Sequence, residues 1–193
     1  MANFETQEDL PAEFQLALKD LIDPYTRPEL STHQIASPNG IAPAAVAYSA
    51  DVPDNTEAAS NRGVGRIVFL HDPAQFETWG SRMRVIAYVK SPLEAEMELE
   101  EDSASYYWDI LKRALEKHGA ISTHEAGTIT KMSSTGMGAL ATEQRKTEIE
   151  LRASWSPLDT SFAPHFAAWQ DLVAAMAGFA IEGDSVVKIS KAV

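Results

Sequence analysis

The sequence predicts an α+β fold of two layers: a mainly antiparallel sheet of about five strands with helices on one face, in the order α-β-β-β-α-β-β-α. Three observations carry that expectation. Stretches with strand-like patterning come in two groups, over 41–90 and 120–155. Connections within each group are too short for the helical crossovers that parallel pairing needs. Two further segments, 103–118 and 162–177, carry apolar residues at helical spacing, and one sheet face can receive both. The 193 residues, 45% hydrophobic and 23% charged, suit a single domain with a sizeable core. The ends, 1–10 and 182–193, are expected to be loosely ordered.

Each element has a local reason. Pro11 suits a first helical turn, Phe14, Leu18, Leu21 and Ile22 follow at helical spacing, and Pro24 stops the run. Residues 25–40 are broken by Pro28, Pro38 and Gly40, with at most a short strand near Thr32–Ala36. Ile41–Val52 reads as a strand, weakened by its alanines, and 53–63 as a polar loop. Val64–His71 and Arg82–Lys90 carry the strongest β signals, with Ala74–Gly80 a short helical turn or loop between them. Asp102 or Ser103 caps a second helix that reaches His118, with Tyr107, Leu111 and Ala114 on its stripe and Gly119 at its end. Ala120–Met132 reads as a strand, and 133–144 as a long hairpin loop. In Arg145–Trp155, Thr147, Ile149, Leu151, Ala153 and Trp155 alternate with polar residues. Phe162–Ala177 is the third helix, stopped by Gly178.

Composition removes several function classes. Without cysteine there is no disulfide framework, thiol nucleophile or Cys-ligated metal. A formal net charge of -12 argues against nucleic acid as a partner. No apolar run is long enough to span a membrane, and Met1–Leu10 lacks the pattern of a signal peptide, so a cytoplasmic protein is expected. Nucleophile-elbow, phosphate-loop and zinc-helix motifs are all missing, and neither a cofactor nor a metal is expected.

Three segments carry a family resemblance. RIVFLHDPAQFETWGSRMRVIAYV (66–89), EIELRASWSPL (148–158) and AAWQDLVAAMAG (167–178), in that order, resemble the actinobacterial family called domain of unknown function 3000, over roughly residues 11–179. The resemblance implies no activity. In topology alone, the element order is similar to that of type III secretion chaperones and their look-alikes. Those are small, acidic, often dimeric proteins that bind segments of other proteins.

The candidate site residues come with competing readings. His71 and Asp72 end a strand before Pro73, and a histidine beside a carboxylate can act as a base or hold a ligand. Alternatively, Asp72 caps the following turn and His71 bonds a neighbouring strand. Trp79 and Trp155 are core residues or interface anchors. Arg82 and Arg84, with Arg66, would form a basic stripe or cross-strand pairs with acids such as Glu148 and Glu150. The acidic run 94–102, interleaved with Met97 and Leu99, is a solvated segment or a dock for a basic partner. Together these favour a non-enzymatic protein-interaction or chaperone-like module, expected to be a homodimer and to bind another protein. The alternative is an enzyme or small-ligand-binding protein that uses His71 and Asp72 near a pocket.

Overall fold

The computed structural model describes residues 10–21, 25–53, 63–93, 103–142 and 146–180. The acidic run with Met97 and Leu99, and most of both chain ends, lie outside the described residues. Helix α1 spans Ala12–Leu18 and continues as a 3-10 turn over Lys19–Leu21. Strands β1 (Ser31–Ile35), β2 (Ala44–Asp51) and β3 (Val64–His71) follow. Next come a 3-10 turn at Pro73–Gln75, the short helix α2 (Phe76–Trp79) and β4 (Met83–Pro92). Helix α3 (Ser103–Lys117), β5 (Ser122–Ser134), β6 (Lys146–Pro157) and α4 (Ala163–Met176) complete the order.

The α+β class and the antiparallel sheet are as expected, but the sheet has six strands, in the order β1-β2-β3-β4-β6-β5, and every neighbouring pair is antiparallel. The additional strand is β1. Its residues, STHQI, are mostly polar and partly exposed on both faces. Backbone pairing with β2, from Ser31 opposite Asp51 to Ile35 opposite Ala47, holds it rather than an apolar alternation.

One face of the sheet is the core. Ile67 and Phe69 of β3, Val85, Ala87 and Val89 of β4, and Ile149, Leu151 and Trp155 of β6 are all buried there. Helix α4 lies across this face, and α3 packs on α4 and β5. Gly65 makes the approach of α4 possible: a Cβ there would sit 2.4 Å from Val173 Cγ2 and 3.0 Å from the Trp169 ring.

Helix α4 departs from the expected one-sided pattern. It is buried almost all round, including Gln170 and Asp171. Both are served by the segment before β1. The Gln170 side chain donates to the Tyr25 carbonyl at 2.6 Å and accepts from the Arg27 amide at 3.2 Å. Asp171 accepts from Lys117 Nζ (2.9 Å), His118 Nε2 (2.9 Å), Arg27 Nη1 (3.2 Å) and Tyr25 Oη (3.4 Å). Burial opposes the ionised carboxylate, but the bonds and charges of Lys117 and His118 outweigh it and hold Asp171 below its ordinary value. Among the described residues, no helix is long and apolar enough to cross a membrane.

Candidate functional site

A recess lies where α1, α2, the start of β4 and the segment after β6 meet. It has a volume of about 440 Å³, with Glu13, Leu16, Phe76, Arg82, Leu158 and Asp159 in its lining. Local sequence sets each wall. Pro11 precedes α1 and places Glu13 in its first turn, where a carboxylate suits the helix dipole. The Asp72 side chain accepts from the Ala74 amide at 3.0 Å and caps the turn that leads into α2, with Pro73 at its first position. Gly80, at φ +67°, ends α2 in the left-handed conformation, and the ring of His124 occupies the space its missing Cβ leaves.

His71 lies behind the recess. It is buried on the core face of β3, next to Phe14. Its Nε2 is 2.5 Å from Glu13 Oε1, and the other carboxylate oxygen is 3.5 Å from Arg82 Nη1. The hydrogen bond with His71, helped by the charges of His71 and Arg82, holds the Glu13 carboxyl below its ordinary value against its partial desolvation. His71 Nδ1 is buried and has no hydrogen-bond partner among the described residues.

A second histidine–carboxylate pair stands beside the first. Trp155 donates from Nε1 to His165 Nδ1 at 2.9 Å, and His165 Nε2 donates to Asp159 Oδ1 at 2.9 Å. Because Nδ1 accepts, the proton is assigned to Nε2. The second oxygen of Asp159 accepts from the Ile121 amide at 2.9 Å. Burial disfavours the Asp159 charge, yet the bonds from His165 and Ile121 prevail and lower its value.

The structure redistributes the residues singled out in the sequence. His71 and Arg82 come together, but through Glu13. Asp72 is turned away into its cap, so the pairing of adjacent His71 and Asp72 is replaced by one across 58 residues of chain. Trp155 is a core residue, fully buried behind the recess. Trp79, half-buried at the end of α2, is not among the lining residues. The basic stripe does not form. Arg66 stands opposite Tyr88 and Arg84 opposite Leu70, while Arg82 precedes β4. Nor do Arg82 and Arg84 reach the two acids named with them: Arg82 pairs with Glu13 and Arg84 bonds Ser154, Ser156 and the His124 carbonyl, while Glu148 takes Lys90 at 2.9 Å and Glu150 takes Arg152 at 2.6 Å within its own strand.

Glu13, Leu16, Phe76, Leu158, Asp159 and His165 were not foreseen as site residues. Leu16 carried a signal: it falls off the apolar stripe of α1, on the face that should meet water. Among the described residues, no cluster of three or more His, Asp or Glu could hold a metal ion. Chemically, the recess offers apolar side walls with a carboxylate and a guanidinium at its rim, a combination suited to gripping a peptide or ligand with both apolar and polar parts.

Fold and recess define a small α+β protein with one open antiparallel sheet and helices over one face of it. The family described as "Protein of unknown function (DUF3000)" matches residues 10–185, and the chain belongs to that family. No curated protein and no solved structure matches it.

Proposed function

We propose that the chain folds as one domain and serves as a protein-binding module, taking a segment of another protein in the recess between α1, α2 and the segment after β6. One observation carries this reading. Leu16, Phe76 and Leu158, exposed by 59%, 50% and 55%, come from three separate stretches of chain and converge on one concavity. Single exposed apolar side chains are ordinary on a protein surface; a convergent group marks a contact site. Glu13 and Arg82 at the rim add polar anchoring.

A second reading, a small-ligand or enzymatic site at His71, draws on the buried Nδ1 of that residue behind Glu13, which has no hydrogen-bond partner among the described residues. One experiment separates the two. A photo-crosslinking residue at position 76, irradiated in native cell extract, should label a discrete polypeptide. The label should vanish in a Leu16→Asp/Leu158→Asp variant with an unchanged circular dichroism spectrum. Labelling that persists in that variant refutes the recess as the contact. A small molecule retained in native mass spectrometry, and lost in His71→Asn, would establish the second reading instead.

A further inference from the structure

Strand β5 is the longest in the sheet and lies at its edge. Among the described residues its one strand partner is β6, so the outer row of backbone N–H and C=O groups carries no strand. Proteins usually shorten, bulge or charge such edges. Here the bulge is confined to Thr123–Ala126, and the ladder from Ala126 to Ser134 is regular.

The strand is its own complement. Glu125 and Lys131 are its two formally charged residues, three positions either side of Thr128. When a second copy is set antiparallel about Thr128, Glu125 falls opposite Lys131, Ala126 opposite Thr130, and Gly127 opposite Ile129. Only this two-fold register aligns the opposite charges. Both lie on the helix side of the sheet: Glu125 bonds Lys112 of α3, and Lys131 stands opposite the buried Ile149. Residues opposed in an antiparallel pair share a face, so the two side chains can meet.

A second observation agrees. Ile121, 59% exposed, precedes β5, while Met137 and Leu140, 75% and 55% exposed, follow it. The same two-fold axis brings the beginning of each β5 to the end of its partner, and so brings these apolar side chains towards one another.

We propose that the protein is a homodimer joined by antiparallel pairing of β5 with β5 about Thr128, so that the six-stranded sheets of the two copies run on as one. The occupant of the edge is a second copy because the strand complements itself in charge and in side-chain size.

The chain contains no cysteine, so Thr128→Cys introduces a lone thiol. Opposed residues have Cα atoms about 5 Å apart, within disulfide reach. In this register two copies of Thr130→Cys would lie about 13 Å apart, beyond it. Sedimentation equilibrium should show a dimer. Mild oxidation should cross-link Thr128→Cys and leave Thr130→Cys monomeric on a denaturing gel. Lys131→Glu should raise the dimer dissociation constant about tenfold, with recovery in Glu125→Lys/Lys131→Glu. A wild-type monomer at 100 μM, on the order of the weakest dimer worth naming, would overturn the proposal. So would a dimer in which Thr130→Cys cross-links as readily as Thr128→Cys, or one indifferent to Lys131→Glu.

Discussion

Asp171 and Glu13 each gather a histidine and a longer cation, yet their burial is inverted. At Asp171 the carboxylate is wholly enclosed, and its partners Lys117 and His118 reach in from sites that keep some solvent contact. At Glu13 the histidine is enclosed, 3% exposed, and the carboxylate stands at the rim of the recess, 42% exposed. An enclosed carboxylate with several donors fastens elements together: here α3, α4 and the segment before β1. A rim carboxylate backed by an enclosed imidazole presents charge outward while one of its own oxygens is held from behind. The contrast separates a part of the scaffold from a part of the recess by geometry alone.

The largest effect should come from Asp171→Ala. That change takes the shared acceptor from Lys117 and His118 and leaves Arg27 held only by Glu29 and the Ala180 carbonyl, and a loss of about 3–5 kcal/mol is expected in urea denaturation. A loss below about 1 kcal/mol would mean that water replaces the carboxylate and that the contrast is false.

Acid should then expose the same contacts. Asp171, Asp159 and Glu13 are all lowered in the folded protein. Groups of that kind add stability above their unfolded values and lose it as pH falls through the folded ones. Unfolding free energy should therefore be flat near neutrality and decline below about pH 4. Asp171→Asn should flatten that decline more than Glu13→Gln does, because the rim carboxylate is screened by water. Equal flattening by both would collapse the distinction.

Glu13→Gln itself should cost about 0.5 kcal/mol, because the carboxylate is at the solvent-screened rim and the amide oxygen can still accept from His71, while weakening any partner that uses the recess. A cost above about 2 kcal/mol would instead place Glu13 in the scaffold. Asp72→Ala, which removes only a cap from an exposed turn, should cost about 0.5–1 kcal/mol and leave the recess intact.

Much of the sheet was legible because alternation is a local signal. In β6 the predicted inward set, Thr147, Ile149, Leu151, Ala153 and Trp155, is buried, and the alternation gives way only at the strand's end, where Ser156 and Pro157 are buried as well. Strand β1 was faint because an edge strand gains its place from a neighbour's backbone, not from its own apolar residues. The all-round burial of α4 was hidden for a related reason: Gln170 and Asp171 read as surface residues until Tyr25 and Arg27, far along the chain, supply their partners.

The site was half legible. His71 stood out as a polar residue ending an apolar strand, and it is indeed tied to a carboxylate. The carboxylate nearest in sequence had another task, since an aspartate before a proline turn satisfies a free backbone amide. The recess itself joins α1, α2 and the segment after β6, and no periodicity within one segment reports on such a meeting.

The order β4-β6-β5 has a consequence for how the chain acquires its shape. From β1 to β4 each strand lies beside its predecessor, so those four strands can form by successive short-range closures. β5 and β6 likewise make a hairpin of their own. The seam between the two parts joins Val85 to Trp155 and Val89 to Leu151 across a connection that runs through α3 to the far edge and returns by β6. That closure joins residues distant in sequence, and such contacts are the slow ones. Folding should accordingly show two early, separable units and one late docking. Substitutions along the seam should slow refolding more than equally destabilising ones within the β1–β4 meander.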